Sequence, residues 1–288
     1  MKRYLVPYEG SEMSKAALRY ALQLSRSLPG EIEIRHIADE RVTANPLFDI
    51  TIAALQSVGT LGVNLPREKA RIELTAKLLA RGDDLIEELL QWPELKDETS
   101  GIKITTVVEA GIPPKRIVEI SDDFDIVFMG LRGEMHKYTA GLWGGTSDLV
   151  IRKGNSPVFL ATTEYRPFTK VIIGFDNRPR SRQALAWGGM LGETMGFPVI
   201  VVTCGTDDDW LEEVTKEGAV ISESFKTEFT YEQSDEQPAR AILKAGDEHP
   251  DSLICLGAFG DQPMRELFIG SVAEEVLRHA KTPVLLLK

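Results

Sequence analysis

Residues 252–288 read SLICLGAFGDQPMRELFIGSVAEEVLRHAKTPVLLLK. An apolar run stops at Gly257, a loop-like segment holds Gly260, amphipathic spacing opens after Gly270, and a second apolar run follows Pro283. Short apolar runs bounded by glycine and separated by a segment of helical period read as strand, loop, helix, strand. Strands that are apolar along their whole length are buried on both faces, the mark of a parallel sheet covered by helices. Residues 129–161, MGLRGEMHKYTAGLWGGTSDLVIRKGNSPVFLA, repeat the arrangement with Gly130, Gly133 and Gly145.

The repeat extends over the chain. YLVPYEGSEMSKAAL at 4–18 aligns with VIIGFDNRPRSRQAL at 171–185, which sets Glu9 on Asp176 and Ser14 on Ser181 at an offset of 167. Gly130 and Gly133 fall on Gly257 and Gly260 at 127, and Gly145-Thr146 on Gly270-Ser271 at 125, so the first copy carries about forty extra residues in its middle. Each copy reads as five strands alternating with helices, an α/β domain. Pro167 interrupts TTEYRPFTK and divides the chain into domains 1–163 and 168–288. A long helix opening at Pro66 is expected in the first copy. Before it, residues 39–65, with Leu47, Phe48, Ile50, Ile52, Leu55 and Val58, read as an insertion packed on its own domain or as a partner-binding lid.

Composition excludes several function classes. The net charge of −11 opposes general binding to nucleic acid or anionic membranes, which requires basic surface. There is no apolar run long enough to span a bilayer. MKRYLVPYEGSE lacks the apolar stretch of a signal peptide, so a cytoplasmic location is expected. Cys204 and Cys255 sit in apolar runs without CxxC spacing and are expected to be buried thiols. His36, His136, His249 and His279 are dispersed, without metal-ligand spacing, and read as surface or capping residues. The acidic runs at 121–123 and 207–209 read as helix termini. A dinucleotide GxGxxG, a Gly-Lys-Ser/Thr loop and a nucleophile elbow are all missing, so the sequence carries no signature of dedicated catalysis or of a protein-ligated metal.

In open α/β sheets ligands bind beyond the carboxyl ends of the strands, where both glycine blocks lie. A helix start at Gly270-Ser271 presents backbone N–H groups suited to phosphate, and Ser271 can cap the helix or donate to a phosphate oxygen. Asp176, at the end of its strand, can accept from ribose hydroxyls or a purine amino group. The alternative is that these glycines satisfy only turn geometry and capping.

The pattern G-x2-G-x9-G-[S/T], a helix and TPVLLL resemble the universal stress protein family, and the openings of both copies resemble its first strand and helix. The chain is similar to a tandem universal stress protein along nearly its whole length. The resemblance implies two flavodoxin-like, adenine-nucleotide-hydrolase-like domains, each a five-stranded parallel sheet of order 3-2-1-4-5 with helices on both faces. It also implies frequent dimerisation and, in one subset, ATP held by the first-strand Asp and the glycine loop. Other members lack nucleotide binding. Carried onto this chain, the binding residues are Asp176, Gly257, Gly260, Gly270, Ser271 and Val272, for ATP or another adenine nucleotide with Mg2+ held by its phosphates.

The copies depart from the pattern differently. Glu9 replaces the Asp in the first, and eleven residues rather than nine separate Gly133 from Gly145, with Tyr138 and Trp143 in the enlarged loop. Its Arg132, His136 and Lys137 favour an anion by charge. The second keeps Asp176 and the spacing, but Asp261 follows Gly260 where the family often has a basic residue; Arg178, Arg180 and Arg182 can offset it. Spacing decides for the second copy, because backbone N–H positions cannot be restored by a flexible side chain. Three readings stay open: a stress-response sensor or scaffold binding adenine nucleotide, an interaction protein with degenerate sites, and a slow ATP hydrolase. The partners expected are the nucleotide and the other copy, paired as an intramolecular pseudo-dimer through PVFLA and PVLLLK, with a homodimer as a further assembly.

Overall fold

A computed structural model of the chain describes residues 1–44, 67–96, 101–131, 145–258 and 269–288. The first copy contains β1 (Lys2–Pro7), α1 (Glu12–Ser27), β2 (Gly30–Asp39), α2 (Arg41–Ala44), α3 (Arg67–Leu89), β3 (Lys103–Gly111), α4 (Pro113–Ser121), β4 (Ile126–Gly130), α5 (Gly145–Lys153) and β5 (Val158–Ala161). The second contains β6 (Lys170–Gly174), α6 (Pro179–Met195), β7 (Val199–Cys204), α7 (Asp208–Ser222), β8 (Phe229–Ser234), α8 (Pro238–Glu248), β9 (Ser252–Gly257), α9 (Ser271–His279) and β10 (Val284–Leu287). The expected helix start at Pro66, and residues 45–65 of the insertion, lie outside the described residues.

Local chemistry explains the element boundaries. Ser11 caps α1 by accepting from the Ser14 amide at 3.1 Å, and Asp207 caps α7 by accepting from the Trp210 amide at 3.2 Å. The acidic run at 207–209 is thus a helix terminus. Proline occupies the first turn of α4, α6 and α8, where a missing N–H costs nothing. Gly196 ends α6 with φ of 70°, a left-handed conformation that glycine adopts without strain.

Among the described residues ten strands form one sheet in the order β3-β2-β1-β4-β5-β10-β9-β6-β7-β8. Within each copy neighbouring strands are parallel and the order is 3-2-1-4-5. The copies meet at β5 and β10, which pair antiparallel with Leu285 opposite Phe159 and Val284 opposite Leu160. An antiparallel pair of equivalent strands relates the copies by an approximate twofold axis. The apolar sequences of these strands explain the junction: all four residues of each are buried, and as free edges they would expose apolar surface and unpaired backbone.

The core fills both faces of the sheet and is continuous across the junction. On one face the rings of Tyr20, Phe128, Phe159 and Phe168 cluster beside Val171, Cys255 and Leu285. Gln23 fastens the connecting segment to α1, its side-chain amide donating to the Phe168 carbonyl at 2.7 Å and its carbonyl accepting from the Phe168 amide at 3.3 Å.

Candidate functional site

In the second copy β6 lies between β7 and β9, the position where successive strands begin to be added on the opposite side. Helices leaving the two central strands diverge there and open a crevice. A cleft of about 880 Å³ fills it, bounded by the end of β6, the first turn of α6 and the first turn of α9. Asp176, Gly257, Gly270, Ser271 and Val272 all line this cleft. Gly260 and Asp261 lie outside the described residues.

Asp176 follows β6 and is held by its neighbours. Its Oδ1 accepts from Ser181 Oγ at 2.6 Å and from the Arg178 amide at 3.2 Å, and the Arg178 guanidinium stands 3.5 Å from Oδ2. Asn177, next in the chain, has φ of 63°, so the backbone turns sharply here. The carboxylate is 45% exposed and thus keeps acceptor capacity toward the cleft. Of the three arginines, Arg178 and Arg180 line the cleft, whereas Arg182 turns to Glu217 at 2.8 Å.

The two described glycines differ in what they allow. A Cβ on Gly257 would stand 2.5 Å from Arg180 Cβ and 3.0 Å from the Arg180 carbonyl carbon, so this glycine lets α6 begin directly against the end of β9. Among the described residues, a Cβ on Gly270 would meet within 4 Å only the Ala258 carbonyl oxygen, at 3.7 Å. Its φ of −59° is open to any residue, so backbone conformation does not require glycine there. Gly270 is the N-cap of α9 and no side chain caps that end; Ser271 is the first helical residue. The first-turn amides of Ser271, Val272 and Ala273 have no carbonyl within the helix to reach. Glu274 also faces the cleft, with its carboxylate paired to Arg278 at 3.1 Å.

The opposite wall is apolar, formed by Val202, Cys204, Trp210, Pro238 and Ile242. Cys204 was expected to be buried like Cys255, but it is only partly buried, because the apolar run of β7 ends at the cleft. Burial and the nearby Glu236 carboxylate push its thiol up to about 11, so it stays protonated and is a poor nucleophile. The sequence reading missed Trp210. An aromatic residue in the first helical turn after a strand end was its only signal.

The first copy is built differently at the matching positions. Glu9 Oε1 accepts from Ser11 Oγ, the hydroxyl that also caps α1. Gly10, with φ of 86°, lies under Leu85 of α3, whose side chain would be 3.1 Å from an added Cβ. Ser147 Oγ donates to the Leu131 carbonyl at 2.9 Å, whereas the equivalent Ala258 carbonyl accepts from the Gly270 amide at 2.9 Å. Arg132, Gly133, His136, Lys137, Tyr138 and Trp143 lie outside the described residues. Among the other histidines, His36 Nδ1 lies 2.8 Å from the Tyr8 carbonyl, and His249 ends α8. Among the described residues, no group of three or more His, Cys, Asp or Glu is placed to hold a metal, and no helix is long and apolar enough to cross a membrane.

Comparison with known proteins agrees with the duplication. The model of the universal stress protein family matches residues 1–161 and again 167–288. Universal stress protein Slr1230 of Synechocystis is 24% identical over 99% of this chain and 99% of its own. Universal stress protein MJ0577 of Methanocaldococcus jannaschii is 29% identical over 55% of this chain and 93% of its own. The crystal structure of a universal stress protein from Archaeoglobus fulgidus has a TM-score of 0.75 at 21% identity and covers 99% of this chain and 98% of its own. The first family match ends on the last residue of β5 and the second begins shortly before β6, so each match contains one complete five-stranded unit. The chain therefore belongs to the universal stress protein family, with two copies of the family's α/β unit joined in one sheet.

Proposed function

We propose that the chain binds an adenine nucleotide (ATP, ADP or AMP) in its second domain and acts in the cytoplasm as a stress-response sensor or scaffold without fast turnover. The domains are taken as 1–163 and 168–288. The observation that carries the reading is the convergence of Asp176 and the uncapped start of α9 on one cleft. Asp176 accepts from the ribose hydroxyls, and the amides at Ser271 and Val272, with the positive end of the helix dipole, hold phosphate. Gly270 leaves room for phosphate at the helix start, since among the described residues a Cβ there would meet only the Ala258 carbonyl oxygen. Gly260 completes the loop in this proposal. Arg180, in the first turn of α6 where it lines the cleft, adds positive charge, and the pairing of Glu274 with Arg278 moderates a carboxylate that would otherwise oppose phosphate. Any Mg2+ enters on the phosphates.

Titration calorimetry of ATP into the full chain and into Asp176→Ala and Glu9→Ala tests this. The expected result is binding by the unaltered chain, strong loss in Asp176→Ala and little change in Glu9→Ala. No heat with the unaltered chain would leave the scaffold reading, which the continuous ten-stranded sheet supports independently. Equal losses in the two variants would mean two working sites. Phosphate release on incubation with ATP would point to the slow hydrolase.

A further inference from the structure

The apolar wall of the cleft contains an arrangement that the first copy cannot make. Trp210 lies in the first turn of α7, where its backbone N–H donates to the Asp207 cap, and is 37% exposed at the cleft. Its ring rests against Gly205, the residue just after β7: a Cβ on Gly205 would lie 2.9 Å from both Cε3 and Cζ3 of the indole. The missing side chain thus lets the ring approach the backbone at the carboxyl end of the strand.

Strand register identifies the matching place in the first copy. Tyr4 pairs with Ile32 and Val171 with Val199, and Tyr4 and Val171 are equivalent in the repeat. Counting along β2 and β7 from these pairs sets Ile37 on Cys204 and Ala38 on Gly205. Ala38 therefore carries the methyl group that Gly205 omits, and the strand end beyond it presents the Asp39–Arg41 ion pair, at 2.6 Å, instead of an indole. Among the described residues, one copy offers an aromatic face at this edge and the other a pair of charges.

We infer that Trp210, seated on Gly205, is the stacking residue for the nucleobase and determines the preference of the second domain for a base-bearing ligand. This rests on the nucleotide reading above and adds to it the residue that senses the base. The cleft has the polarity that such a ligand needs. The start of α9 offers amides and the start of α6 offers Arg178 and Arg180 for phosphate, Asp176 stands on the β6 loop for the sugar, and Val202, Ile242 and Trp210 form the apolar wall for a flat ring. Aromatic stacking on a base is sequence-tolerant, so Trp210 supplies affinity and polar groups supply the choice of base.

The test uses the full chain with ATP as probe, by calorimetry and by tryptophan fluorescence. Trp210→Ala is expected to weaken ATP about tenfold, within the range of one lost aromatic–base stack. Trp210→Phe should retain most of the affinity yet lose the part of the ATP-induced fluorescence change that arises at this indole. Gly205→Ala, which keeps the indole but displaces it, should weaken ATP several-fold. Unchanged ATP affinity in Trp210→Ala, or an identical fluorescence response in Trp210→Phe, would overturn the inference while leaving nucleotide binding intact. Absence of ATP binding by the unaltered chain would overturn both.

Discussion

Ser181 Oγ donates to Asp176 Oδ1 at 2.6 Å while receiving the Asp176 amide at 3.3 Å, so one hydroxyl of α6 holds both ends of the residue that closes β6. Ser181 is buried, and its bond to a charged acceptor is of the stronger kind. In the first copy the equivalent Ser14 donates to the Ser11 carbonyl, and Glu9 takes its bond from Ser11 instead. The two carboxylates of the repeat are therefore aimed by different hydroxyls.

That difference predicts the outcome of Ser181→Ala. The substitution should cost about 1–3 kcal/mol of stability, since it removes a hydrogen bond to a charged group. It should also weaken ATP by loosening the Asp176 carboxylate, without the full loss seen in Asp176→Ala. Ser14→Ala should leave ATP affinity unchanged. Thermal melts and titrations of both serine variants check this; equal effects on ATP would contradict the assigned asymmetry.

The two cleft glycines should separate folding from binding. Gly257→Ala puts a methyl group against the Arg180 backbone, which cannot move without shifting α6, and should destabilise the protein by about 1–3 kcal/mol, in the range of overpacked core sites. Gly270→Val meets no such obstacle among the described residues and should lower the melting temperature of the unliganded chain less than Gly257→Ala does, by no more than a poorer N-cap residue costs, while lowering ATP affinity. A Gly270→Val variant that melts as early as Gly257→Ala would show that Gly270 serves the fold.

Much of this architecture is legible in the sequence because its causes are local. The strands announce themselves as unbroken apolar runs, and the match of Glu9 with Asp176 follows from one constant offset. The pairing of PVFLA with PVLLLK was legible for a physical reason: two strands so apolar cannot both be edges. What was not legible depends on which atoms cross in space. Gly257 reads as part of the ligand loop and does line the cleft, but the packing of α6 against its Cα, which calls for glycine there, has no trace in the sequence. Cys204 reads as core because its run is apolar, yet the run stops at the cleft wall. Trp210 and Gly205 meet through a strand end and a helical turn, a contact that no periodicity encodes.

The junction between the copies should make them unfold together. Phe159 is buried in β5, opposite Leu285 of β10, stacks with Phe128 and makes tilted ring contacts with Tyr20 of its own copy and with Phe168 of the connecting segment. Phe159→Ala should cost about 3–5 kcal/mol, as expected for a large aromatic side chain removed from a close-packed core. Urea unfolding of the unaltered chain, followed by fluorescence and circular dichroism, should give one coincident transition. Two resolved transitions would mean that β5 and β10 couple the copies only weakly.

Lys288 supplies the pH dependence. Its amine reaches from the end of β10 to the C-terminal end of α5 and donates to the Val150 carbonyl at 2.8 Å and to that of Gly154, so the second copy caps a helix of the first. Burial pushes its pKa down from 10.5 to about 7, and the Asp122 carboxylate opposes the shift only in part. Between these values the unfolded chain holds a proton that the folded chain has released, so stability should rise with pH from about 7 upward, by at most about 1.4 kcal/mol per unit. Below about pH 7 the amine is protonated in both states and this dependence should vanish. Lys288→Met removes the titrating group but leaves the other charges in place. Urea midpoints of both proteins between about pH 6 and about pH 8 isolate the effect. The stability of the unaltered chain relative to the variant should be flat at the acidic end and grow above neutrality. A difference independent of pH would mean that the two carbonyls and Asp122 keep the buried amine charged throughout, and the cap would then be a permanent ion at the helix end.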